Sequence, residues 1–324
     1  MEEAKYYAEK ILTAADKFLD KKLDSSIQSI MDKNEFNDQI FEEISEDIAC
    51  LFEKWMNTKS KAIEEKSVID VFAYFNSLGK INHLNIELAQ YLISSDSLEY
   101  AAYKPFLKMA ELMISYGFDW SIFLSNKIKE IVSELDQIDN INNNCYEELI
   151  FVLSKIFIIC KVLKLKELSP NIIEACVAIN EHSYSSDVPG YEARNSLLEI
   201  GQEYTDILYE KLRSLSHLNP ICEQLMLCLA ELGSKKKSEQ LFKFFKEFFR
   251  KHQDKVFASD CLVRYNDSRA IVILRGYLER NLDCMDKNSF YELKSAVDKL
   301  GGQTKDIVNM YLSHLQQMKQ NIKI

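Results

Sequence analysis

Four stretches of this chain share one plan: "SLLEIGQEYTDILYEKLRSL", "CLAELGSKKKSEQLFKFFKEFF", "CLVRYNDSRAIVILRGYLER" and "AVDKLGGQTKDIVNMYLSHL". Each closes an apolar segment on a hydrophobic residue, passes through a Gly or Asn, and opens a second apolar segment. The turn residues are Gly201, Gly233, Asn266 and Gly301, at intervals of 32, 33 and 35. Glycine ends a helix cheaply because it enters the left-handed region without a Cβ clash. Asn tolerates that region better than most residues. A helix pair of this size cannot bury both of its faces alone, so successive pairs are expected to stack and share one core. An earlier stretch, "YFNSLGKINHLNIELAQYLI", turns at Gly79 and is a weaker copy of the same device.

The third stretch carries a more specific pattern. In "RYNDSRAIVILRGYL" the residues Asp267, Arg269 and Ala270 follow the turn and lead into an apolar helix. This resembles the short bacterial form of the HEAT-repeat family over roughly residues 190–320. The other three copies keep the turn and the helix pattern but lack the Asp-x-Arg-Ala signature. The resemblance implies an all-α fold, a right-handed α-solenoid of antiparallel helix pairs, with a less regular N-terminal part. The loop-like stretches "DQIDNINNNC" (136–145) and "HSYSSDVPG" (182–190) suggest where the chain breaks. The expected organisation is an acidic helical region over 1–140 and a repeat array over 145–324, one continuous solenoid being the alternative.

Composition agrees with an all-helical chain. Only 8 Gly and 4 Pro among 324 residues leave too few turn formers for a β-rich fold. Pattern lengths suggest about 15 helices. The most apolar run, Leu149 to Leu165, is interrupted by Lys155, Lys161 and Lys164. It falls short of the ~20 apolar residues that cross a bilayer, so it is expected to be a core helix. The N-terminal segment is acidic and amphipathic, unlike a secretory signal. The eight cysteines include no CxxC pair, and several occupy apolar positions of helical patterns. Both features predict a cytoplasmic, reduced protein without membrane association.

Chemistry is harder to find. His83, His182, His217, His252 and His314 are widely separated, none is followed by Glu, and HExxH, GxxxxGK[ST], GxGxxG and GxSxG are all missing. The iron-dependent hydroxylases built on HEAT-like repeats use His-Glu pairs, which this chain lacks. No cofactor or metal is expected, and a non-catalytic role is favoured, although a site assembled from residues distant in sequence stays open. Asp267 and Arg269 have two readings. One is a general base beside an anion clamp. The favoured one makes Asp267 a helix-capping residue and Arg269 a bridge to the neighbouring repeat.

Two charged faces are candidates for binding. Lys236, Lys243 and Arg250 fall seven residues apart, flanked by Lys246, and the next repeat adds Arg275 and Arg280. Together they would line a basic groove for phosphate backbones, as in the alkylpurine DNA glycosylases with HEAT-like repeats. Against this stand Glu247 and Glu279, a net charge of −10, and a solvating role with Lys243 paired to Glu247. The second face is acidic: Glu35, Asp38, Glu42, Glu46 and Glu53 share a helical stripe, with no basic residue between Lys33 and Lys54. Such a stripe suits a basic partner. The leading expectation is a scaffold that binds another protein, with an inhibitor or immunity-type protein for a basic partner as one variant; nucleic-acid binding is the alternative.

Overall fold

A computed structural model describes residues 1–33, 38–94, 103–135, 137, 144–180 and 188–321. Among them are sixteen α-helices and no β-strand. They form two compact units, Met1–Leu168 and Ser169–Ile324. Most of 136–145 and 182–190 lies outside the described residues.

The N-terminal unit contains α1 (Glu2–Lys33), α2 (Asp38–Met56), α3 (Val68–Ser77), α4 (Ile81–Ser94), α5 (Tyr103–Ser115), α6 (Trp120–Leu135) and α7 (Asn144–Val162). This unit includes α7, which packs on α4 and α6. The apolar run seen in the sequence makes α7, which buries Ile150, Leu153, Ile156, Phe157, Ile159 and Cys160. A capping box starts α3: Ser67 Oγ accepts from the Asp70 amide, and Asp70 Oδ2 accepts from the Ser67 amide, both at 3.0 Å. Gly79 does take left-handed backbone between α3 and α4, at φ 66°.

The C-terminal unit contains α8 (Ser169–Asn180), α9 (Val188–Ile200), α10 (Thr205–Ser214), α11 (Pro220–Lys235), α12 (Glu239–Lys251), α13 (Lys255–Tyr265), α14 (Ala270–Asn281), α15 (Lys287–Lys299) and α16 (Lys305–Asn321). The first helices pack in succession, α9 on α11, α11 on α13 and α13 on α15. At their centre α11 is apolar nearly all round and buries ten residues from Ile221 to Gly233. The second helices α10, α12 and α14 pack on α11, α13 and α15, and touch one another far less.

Of the four turn residues read from the sequence, two are left-handed: Asn266 at φ 55° and Gly301 at φ 86°. Gly201 stays at φ −95°. Gly233 is not a turn at all, because α11 continues through it to Lys235. A Cβ there would stand 2.9 Å from Leu241 Cδ1 and 3.2 Å from the Tyr265 ring, so this glycine serves close packing. Gly190 is likewise in the first turn of α9 and not in a loop; its Cβ would meet Ile221 Cα at 2.7 Å.

Candidate functional site

The most distinctive surface is built on α12. Ser238 caps it, accepting from the Leu241 amide at 3.1 Å. Ser238 is itself clamped by Tyr265, whose hydroxyl accepts from its amide at 2.9 Å and donates to its carbonyl at 2.8 Å. Leu241, Phe242, Phe245 and Phe249 face the core, leaving Lys243, Lys246, Glu247, Arg250 and Lys251 in solvent. Because the second helices are spread apart, α12 has a hollow on each side.

Towards α10 lies a groove of about 790 Å3. Its apolar wall includes Leu212, Met226, Phe244 and Phe248, and its rim carries Arg213, Lys243 and Lys251 with the single carboxylate of Glu247 among them. His217 and His252, 35 residues apart in sequence, line the same groove. The His252 ring stacks on Phe248 with centroids 4.6 Å apart, and burial lowers its pKa. Glu247 is occupied by Lys251 at 3.2 Å and Arg250 at 3.8 Å, while Lys243 faces Glu239 at 3.9 Å and not Glu247.

Towards α14 lies a pocket of about 420 Å3 lined by Lys246, Arg250, Lys255 and Arg280, with Tyr277 and Val272 beside them. No carboxylate lines it. Lys255 donates to the carbonyls of Phe249 (2.8 Å), Arg250 (3.0 Å) and His252 (2.7 Å), which completes the C-terminal turn of α12. The Arg280 guanidinium folds back over Gly276, with Nη1 3.1 Å from where a Cβ would stand.

Three of the six basic candidates, Lys246, Arg250 and Arg280, therefore share one pocket, and Lys243 sits in the neighbouring groove. The other two are elsewhere. Lys236 ends α11 outside the α12 face. Arg275 is engaged by Asp306 at 2.5 Å and Glu279 at 3.4 Å, which also occupies that glutamate.

The acidic candidates divide differently. Glu35 lies outside the described residues, and Asp38 and Glu42 belong to α2. Glu46 pairs with Lys104 at 2.9 Å and Glu53 with Lys108 at 3.6 Å, both lysines on α5. Lysines distant in sequence thus neutralise two carboxylates of a stripe that has no basic residue of its own.

Asp267 is nearly buried and accepts from the Arg269 amide at 3.0 Å. Its carboxylate also takes the Arg269 guanidinium at 2.8 Å, which holds its pKa below the ordinary aspartate value. From there Arg269 reaches back to α12: it donates to Glu239 at 2.6 Å and lies over the Phe242 ring at 3.7 Å. A carboxylate with its oxygens occupied in this way is poorly placed to take a proton from a substrate.

The most concentrated polar cluster of the N-terminal unit has no sequence signature. Glu64 accepts from Tyr6, Tyr7 and Lys10, which lowers its pKa to about 2, and Tyr7 in turn accepts from Lys66. Glu64 and Glu65 both sit at positive φ, 56° and 59°, so this contact is made by a strained turn. Among the described residues no three His, Cys, Asp or Glu side chains gather as they would around a metal ion. The buried thiols of Cys160, Cys176, Cys222, Cys228 and Cys261 are pushed up by burial and are poor nucleophiles. No helix among the described residues is long and apolar enough to cross a membrane. Compared with known protein families, curated proteins and solved structures, the chain matches none.

Proposed function

We propose that the chain is a non-catalytic, HEAT-like helical-repeat scaffold, an α-solenoid in its C-terminal unit, that binds another protein. The single observation that carries this reading is the groove between α10 and α12, with its apolar wall and cationic rim. Such a groove suits a segment with apolar side chains flanked by carboxylates. The repeat reading draws support from ties between successive pairs. Lys237 donates to the Asn266 carbonyl 29 residues on, Arg269 to Glu239 at a separation of 30, Arg275 to Asp306 at 31 and Arg264 to Glu231 at 33. These separations run close to the spacing of the turns. A basic partner, as the inhibitor or immunity-type variant needs, would use the α2 stripe, but Glu46 and Glu53 there already have lysines.

The test is selection from a random peptide display library on the intact chain. We expect enrichment of peptides that join Leu, Ile or Phe to Asp or Glu, lost in the variant Lys243→Glu/Phe248→Asp and kept in Glu46→Lys. A library with no enriched class, or enrichment indifferent to the double substitution, would sink the reading. Nucleic-acid binding, in outline like the alkylpurine DNA glycosylases, is the second reading, favoured by the four cations of the α12–α14 pocket. It requires a steep fall of duplex or single-strand affinity with salt.

A further inference from the structure

We infer that the pocket between α12 and α14 is a receptor for a phosphomonoester, the phosphorylated side chain of a protein segment bound across α12. The source of the phosphate rests on the protein-binding reading; the anion site itself does not. Four cationic side chains line this pocket without a carboxylate among them. Lys255 has its donors committed to three helix carbonyls, so it fixes the pocket wall and adds charge. Lys246 and Arg280 have no carboxylate partner among the described residues, and Arg250 has only Glu247, at 3.8 Å. Elsewhere in this unit several arginines are paired across helices: Arg194 and Arg264 on Glu231, Arg269 on Asp267 and Glu239, Arg275 on Asp306.

The sequence also makes a local sacrifice for this arrangement. Gly276 stands inside α14, where alanine is the better helix former, and the missing Cβ leaves room for the Arg280 guanidinium to lie back over the helix. Three available cations in one pocket suit one group of high charge. A phosphomonoester carries close to two negative charges and three acceptor oxygens, and arginine binds it bidentately. A phosphodiester carries one charge and would call for a run of cations, yet Arg275 on the same helix is already taken by Asp306. The neighbouring groove across α12 offers the apolar wall against which the rest of a peptide would lie.

The probes are fluorescein-labelled peptides of Ala, Glu and Leu with one central phosphoserine, serine or glutamate, titrated by fluorescence anisotropy. We expect phosphoserine to bind about tenfold more tightly than serine, with glutamate nearer to serine, as charge-assisted bidentate contacts would give. Inorganic phosphate should compete, and Arg280→Met or Lys246→Met should each erase the phosphoserine advantage with the far-UV circular dichroism unchanged. Lys243→Glu/Phe248→Asp should weaken all three peptides and keep their ratio, which separates failure of the groove from failure of the pocket. Equal affinity for phosphoserine and serine, or a ratio unaffected by Arg280→Met, overturns the proposal. Competition by inorganic phosphate without any peptide preference overturns its protein source, and tighter binding of an oligothymidylate without a terminal phosphate overturns it in favour of nucleic acid.

Discussion

The two units of the chain differ in charge balance. The N-terminal unit has 19 Lys+Arg against 29 Asp+Glu, and the C-terminal unit 21 against 21. All of the net negative charge therefore belongs to one unit. The neutral unit nevertheless presents a pocket lined by four cations, and several of its carboxylates are spent between helices. Glu231 sits between Arg194 and Arg264, Asp267 holds Arg269, and Asp306 holds Arg275. The lysines and arginines of α12 are left facing solvent. The acidic unit also ties carboxylates across helices, Glu46 to Lys104, Glu53 to Lys108 and Asp16 to Tyr91, which donates at 2.9 Å, but has carboxylates to spare. Net charge is a poor guide to a binding face when one sign is consumed by packing.

Glycine separates the units most sharply, and it gives the largest expected effect. Gly190→Ala puts a Cβ 2.7 Å from Ile221 Cα and 2.9 Å from its carbonyl oxygen, backbone atoms that cannot swing aside. We expect a loss of about 2–3 kcal/mol, as overpacking gives. Gly79→Ala in the acidic unit meets nothing within 4 Å and suffers only its φ of 66°. Its expected cost is about 1 kcal/mol. Both tryptophans, Trp55 and Trp120, lie in the N-terminal unit, so their fluorescence follows that unit while circular dichroism follows both. In urea, Gly190→Ala should move the circular dichroism transition and spare the fluorescence. If both move together, the two units unfold as one and the comparison breaks.

Asp267→Ala comes next, with an expected loss of about 1 kcal/mol from the C-terminal unit; the N-cap of α14 is Arg269 and has no side-chain cap bond, so the loss comes from the Asp267 bonds to the Arg269 amide and guanidinium. The sign of its pH dependence follows from its lowered pKa. The stabilisation is fully present above the ordinary aspartate pKa near 3.8 and is lost as pH falls through the lower folded value. Glu64 does the same for the acidic unit between about 4.5 and about 2. Melting temperatures below pH 4.5 should therefore fall less steeply in Asp267→Asn by circular dichroism and in Glu64→Gln by fluorescence. An unchanged acid limb in either variant would mean that the cluster is formed in the unfolded chain as well.

Much of the helical plan could be read from the sequence, because period and turn chemistry are local. The apolar stripe of α12, the core run of α7 and the Asn266 turn all follow from neighbours within a few residues. Gly233 and Gly201 were misleading for the same reason. A glycine after a hydrophobic residue signals a helix end, but only the arrival of Leu241 and Tyr265 reveals that Gly233 is there for contact. The basic candidates were legible as residues and not as a site. Nothing within the helix of Arg275 announces that Asp306 will take it, and nothing near Glu46 announces Lys104. Pairing across helices is decided by packing, so local sequence sees the charges and misses which of them remain free.

Two smaller effects sharpen the contrast from the stabilising side. In the acidic unit Asn85 is buried, and its amide oxygen and nitrogen both lack a hydrogen-bond partner among the described residues. Asn85→Leu should raise stability by about 1 kcal/mol, read by fluorescence in urea, since a buried unsatisfied amide costs that much or more. In the neutral unit Gly276→Ala should raise stability by about 0.5–1 kcal/mol through helix propensity alone. What a new Cβ would meet first is the flexible end of Arg280, which can move away. That same movement should weaken phosphoserine binding while leaving the serine peptide untouched. A gain in stability with undiminished phosphoserine affinity would mean that Gly276 is an ordinary weak spot of α14 and that the fold gives up nothing there to set its arginine.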